Sequence, residues 1–184
     1  TYEKWAAATP AHFRFAVKAP QQLTHVQHLK APRPVLKQFA SEVAGLGRKF
    51  AVVLVQLPPS LAFDGRLADR FFGVVKDELT TSIACEPRHA SWFTPEVDTW
   101  LKARRVARVA ADPARADGAS APGGWRGLTY YRLHGSPRIY WSAYKPAFLR
   151  GVAKKLKGET APAWCILDNT ARGHALGDAL TIID

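Results

Sequence analysis

The sequence predicts an α/β fold in which parallel strands alternate with amphipathic helices. Three observations carry this. Short β-branched or aromatic runs alternate with longer helical stripes along the chain. Each short run ends on or just before a polar residue. The repeat is also regular, with six strands in 184 residues, about 31 residues per unit. Strand, helix, strand, helix in this rhythm implies parallel strands joined by right-handed crossovers.

The elements follow in order. Tyr2 and Trp5 read as the tail of a helix. Phe13 to Lys18 is the first strand run. Val35, Leu36, Phe39, Val43 and Leu46 share one helical stripe. Ala51 to Gln56 is the second strand, and Leu67, Phe71, Val74 and Val75 mark the next helix. Ser82 to Glu86 is the third strand. The helix around Val97, Trp100 and Leu101 has a start signal: Thr94 as N-cap, Pro95 in the first turn, Glu96 at the positive dipole end. Val106 to Asp112 reads as one strand. Ala114 to Gly127, rich in Gly, Ala and Pro, reads as a loop that replaces most of a crossover helix. Leu128 to His134 is the fifth strand. Phe148, Leu149, Val152 and Leu156 stripe a helix whose outer face carries Arg150, Lys154, Lys155 and Lys157. Trp164 to Asn169 is the sixth strand, and Leu176, Ala179, Leu180 and Ile183 mark the last helix.

Such a chain makes either an open doubly wound sheet or a closed barrel. No Gly-x-Gly-x-x-Gly follows the first strand, which weakens a dinucleotide-binding reading. Eight units of this length would need roughly 250 residues, the size of a TIM-type (β/α)8 barrel. The expectation is a single domain over residues 1–184 holding about six of eight βα units, the third to eighth strands. The chain starts at Thr1 and contains no Met, and two units are expected to precede it. Without them, edge strands would stay unpaired.

In parallel barrels the chemistry sits where the strands' C-terminal ends meet. Those ends carry Lys18, Gln56, Glu86, Asp112, Arg132 with His134, and Asp168 with Asn169. Alternation puts Glu86 on the side of Ala84 and Ser82, and Arg132 on that of Tyr130 and His134. A charge aimed at the helices would be costly to bury unpaired, which favours the inward side. The segment from Cys85 to Phe93 is the most distinctive, because a carboxylate, a guanidinium, an imidazole and an indole follow one strand. Glu86 suits a general base, Arg88 an anion clamp, His89 an acid or base, and Trp92 a ligand contact. The plainer alternative is an internal Glu86–Arg88 ion pair with Trp92 as packing. Gly135 would let a ligand approach the backbone closely. His25 follows the Lys18 strand end and can reach the same ring. Glu86, His89, Asp112 and His134 have metal-binding chemistry but no strong local spacing, so no metal and no cofactor is assigned.

Composition narrows the class. Apolar residues make up 47% and charged residues 22%. That excludes a disordered tail or a disulfide-rich miniature. The formal net charge is +11, which invites anionic partners. Cys85 and Cys165 lie in apolar runs, as expected of free thiols in a reducing, cytoplasmic setting. No run approaches the roughly 18 apolar residues of a membrane span.

Five motifs together resemble the YecE-like family, known as domain of unknown function 72. They are Phe13 to Pro20 with Thr24-His25, then Val55-Gln56-Leu57-Pro58-Pro59-Ser60. Glu86-Pro87-Arg88-His89 with Ser91-Trp92, Tyr131-Arg132-Leu133-His134-Gly135, and Asp168-Asn169-Thr170 complete them. The resemblance spans essentially the whole chain. It implies a TIM-barrel-like fold of about eight βα units, with two strands and their Gly-Trp and Asn-Ser/Thr-x-Phe-Tyr motifs ahead of Thr1. It also supports grouping Lys18, Gln56, Glu86, Arg88, His89, Arg132, His134 and Asn169 in one pocket. Asp168 stands where the family usually carries Asn. The family supplies no reaction. The expected function is an enzyme or small-ligand binder with a cationic polar pocket for a phosphate- or carboxylate-bearing ligand. The alternative is nucleic-acid binding through the Lys154, Lys155, Lys157 face and exposed Trp141 and Tyr144.

Overall fold

The computed structural model describes residues 1–184. The chain falls into two compact units, Thr1–Trp92 and Phe93–Asp184.

The first unit opens with helix α1 (Tyr2–Ala7) and strand β1 (Phe15–Lys18). A π-helical turn, Gln22–Val26, leads to helix α2 (Arg33–Val43), which buries Leu36, Phe39 and Val43 as the stripe predicts. Strand β2 (Phe50–Gln56), helix α3 (Gly65–Glu78) and strand β3 (Ser82–Glu86) follow. Asp64 caps α3 by accepting from the backbone N–H groups of Arg66 and Leu67. β2 pairs in parallel with both β1 and β3. Val52 to Val55 are buried because this central strand is covered on both faces. The register sets Lys18 beside Leu54 and Gln56 beside Glu86, so the three strands end nearly level.

The second unit begins with helix α4 (Pro95–Ala103), where the Thr94 side chain accepts from Val97 N–H as predicted. The predicted strand over Val106–Asp112 is two strands, β4 (Val106–Arg108) and β5 (Ala110–Asp112). The break follows from a change of pairing partner. β4 pairs antiparallel with the two-residue β6 (Gly123–Gly124), whereas β5 joins a parallel sheet. A Cβ on Gly123 would come within 2.2 Å of Arg108 Nη2 and would displace the guanidinium. Arg108 is thereby held against Asp98 at 3.2 Å and the Gly118 carbonyl at 3.0 Å. The stretch from 114 to 127 contains no helix, as its composition predicts, and its one regular piece is β6.

Strand β7 (Thr129–Leu133), helix α5 (Pro146–Lys157), strand β8 (Ala163–Leu167) and helix α6 (His174–Ile183) complete the chain. β7 lies between β5 and β8, all parallel. Leu133, Tyr144, Leu149, Val152 and Ile182 form a core cluster. Helix α6 turns its predicted stripe outward, with Leu176 71% and Ile183 73% exposed, while Asp178 is buried. Neither unit contains a closed sheet, so the structure supports an α/β fold of parallel sheets and alternating helices. No helix is long and apolar enough to cross a membrane.

Candidate functional site

Two polar clusters sit at strand ends, one in each unit. In the first, β2 and β3 deliver Gln56 and Glu86 as direct neighbours. Glu86 is 2% exposed. Gln56 Nε2 lies 3.1 and 3.2 Å from its two carboxylate oxygens. Pro87 ends the strand, and Arg88 folds back so that Nε and Nη2 reach Oε1 at 3.3 and 3.1 Å. The internal ion pair is therefore present, and it meets the requirement that a buried carboxylate be paired.

Lys18 ends β1 with its side chain exposed and without an ion-pair partner. It shares a small cavity of about 110 Å³ with Ala19, Gln21, Thr24, His25 and Gln56. Thr24 is buried, and its hydroxyl lies 2.8 Å from His25 Nδ1. Burial first, then the charges of Arg88, Lys18 and His28, hold the His25 imidazole below its ordinary range. The cavity is thus lined by one fixed cation, Lys18, and by the side chains of Gln56, Thr24 and His25.

His89 and Trp92 belong to the turn after β3. Ser91 Oγ accepts from Phe63 N–H at 2.8 Å and lies 2.9 Å from His89 Nδ1. The Ser91 N–H also points to that nitrogen at 3.2 Å. Both Ser91 donors converge on Nδ1, which places the proton of the neutral ring on Nε2. Trp92 is 1% exposed and donates its indole N–H to the Leu61 carbonyl at 2.9 Å. Its place is inside the turn, packed edge-on against Phe63, rather than on a surface.

In the second cluster, β7 and β8 bring Arg132 and His134 to Asp168. Arg132 Nη2 donates to Asp168 Oδ2. His134 Nδ1 lies 3.0 Å from the same oxygen. Asp112 is bound from another side, with the Tyr144 hydroxyl donating to its Oδ1 at 2.8 Å. That hydroxyl accepts from Gly135 N–H at 2.8 Å. Asn169 is fully buried and donates to the Ser142 carbonyl at 3.0 Å and to Asp178 Oδ2 at 2.6 Å. The same Asp178 oxygen accepts from Tyr144 N–H at 3.1 Å. These bonds fasten the segment from 135 to 145 to the ends of β5 and β8.

A family model described as a protein of unknown function, DUF72, matches residues 1–184. The chain belongs to the DUF72 family. Among solved structures it is similar to a DUF72 family protein of Thermotoga maritima, with 22% identity and a TM-score of 0.79. That likeness covers 98% of this chain and 76% of the other. A DUF72 family protein of Enterococcus faecalis is similar at 21% identity and a TM-score of 0.81, covering 98% and 81%. At these identities the likeness establishes the fold. No curated protein matches the sequence.

Against the family expectation, the structure gathers Lys18, His25, Gln56, Glu86 and Arg88 at the strand ends of the first unit. It gathers Arg132, His134, Asp168 and Asn169, with Asp112, at those of the second. Tyr144 is 7% exposed, so it is part of this second network and not an exposed aromatic. Gly135, at φ +95°, is tight against its own chain: a Cβ there would come within 3.0 Å of the Ser142 carbonyl. Asp178, buried beside Tyr144 and Asn169, is a member of this network that the sequence does not mark. Asp178 lies on the helix face opposite the apolar stripe of Leu176, Leu180 and Ile183, so the sequence pattern alone places it on the solvent side. No group of three His, Cys, Asp or Glu side chains is placed to hold a metal ion.

Proposed function

We propose that this DUF72 protein is a small-ligand binder, or an enzyme, whose ligand presents a phosphate or carboxylate to the strand ends of the first unit. The observation that carries this reading is Lys18, an unpaired cation on a cavity also lined by His25, Thr24 and Gln56. Arg88 stands near enough to repel a charge on His25. An anion entering there would meet a cation and several donors at once. Glu86, engaged by Gln56 and Arg88, holds the guanidinium in place. His89, with Nδ1 occupied by Ser91, would be the proton-handling group if a reaction follows binding. The single (β/α)8 barrel domain remains the architectural part of the proposal, supported by the family and by the run of parallel strands.

Titration of the protein with inorganic phosphate, followed by NMR, tests the reading. Lys18→Gln removes the free cation from an exposed position. It is expected to weaken binding about tenfold, the size of a charge-assisted hydrogen bond. Absence of binding to the unaltered chain, or an affinity indifferent to Lys18→Gln, would count against the proposal. A second reading, nucleic-acid binding, is favoured by Arg138 stacked 4.2 Å over Trp141, which is 41% exposed, and by the exposed Lys154, Lys155 and Lys157.

A further inference from the structure

One member of the anion seat has a charge that is not fixed. His25 lines the cavity from a π-helical turn. The next residues, His28, Leu29 and Ala31, all hold left-handed conformations, with φ of 46°, 67° and 46°. Non-glycine residues keep such conformations only where the surroundings determine them. The ring itself is tied through Nδ1, which lies 2.8 Å from the buried Thr24 hydroxyl.

The charged groups around His25 come from each neighbouring element. Lys18 stands at the end of β1, His28 just after the π-helical turn, and Arg88 beyond β3. β2 contributes the neutral Gln56. The carboxylate of Glu86 is buried and held by Gln56 and Arg88. Burial first, then the charges of Arg88 and Lys18, keep the imidazole neutral at neutral pH.

We infer that His25 makes the seat proton-linked: a doubly charged tetrahedral oxyanion, of the phosphate-monoester type, draws one proton from solvent onto His25 as it binds. This rests on the anion-binding reading above and narrows its ligand class. The incoming charge cancels the repulsion that keeps the ring neutral. The imidazolium then donates from both nitrogens, Nδ1–H to Thr24 Oγ1 and Nε2–H outward. A carboxylate, with one charge, cancels less repulsion and recruits less of a proton. By linkage, whatever factor the anion adds to proton affinity, lower pH adds to anion affinity.

Sulfate is the suitable probe, because it stays doubly charged through the neutral range. Calorimetric titration in buffers of different ionisation enthalpy counts protons taken up per sulfate bound. Near pH 7, just above the ordinary imidazole value of about 6.5, the whole chain is expected to take up a large fraction of one proton with sulfate. Acetate is expected to bring less. His25→Gln is expected to bind sulfate through Lys18 with no uptake. Sulfate binding without uptake, or uptake undiminished in His25→Gln, overturns the inference and leaves the anion seat standing. Absence of any sulfate or phosphate binding removes the seat itself, and the inference with it.

Discussion

Glu86 is the residue on which the first cluster depends. A carboxylate 2% exposed is held by one amide and one guanidinium from its own unit. Gln56→Ala deletes the amide donor that both oxygens share, while Arg88 stays on Oε1. The expected loss is about 1–3 kcal/mol, the cost of under-satisfying a buried polar group. It would be read as a lower urea midpoint at unchanged slope. An unshifted midpoint would mean that Gln56 is not what keeps Glu86 buried. Cys165 shows the opposite use of burial: desolvation pushes its thiol up to about 12, which keeps it protonated and poorly nucleophilic.

At the scale of elements, the segment from 135 to 145 is held by a few side-chain bonds. The Tyr144 hydroxyl joins Gly135 N–H to Asp112, and the Tyr144 N–H reaches Asp178. Tyr144→Phe keeps the ring stacked on Phe148 but strands the Gly135 N–H. We expect a loss of about 1–3 kcal/mol. Amide exchange should also become faster at Gly135 than at the core strands. Equal protection at Gly135 in both proteins would contradict this. These elements also mark the limit of what the sequence reveals. The Thr94 cap and the α2 stripe were legible because their causes lie within one turn of helix. The strands ending in Gln56 and Glu86 were legible by alternation. The break after Arg108 was not, because it depends on Gly123 and Asp98 arriving from elsewhere in the chain. Nor was the outward face of α6, which follows from Asp178 meeting Tyr144 and Asn169. Trp92 read as a ligand contact, because nothing local announces the Leu61 carbonyl that accepts its N–H.

At the scale of the whole molecule, the net charge of +11 raises the local concentration of any anion, and salt screens that effect over about 10 Å. Charge alone cannot distinguish a built seat from a basic surface, since Lys154, Lys155 and Lys157 also attract anions. Location is what distinguishes them. The chain contains no Met and two Cys, so it carries little sulfur to confuse an anomalous signal. Crystals soaked in selenate and measured at the selenium edge therefore give the most direct test. The anion seat predicts a peak within hydrogen-bond reach of Lys18 Nζ, beside His25 and Gln56. An empty cavity there, with selenate confined to the α5 lysines, would contradict it.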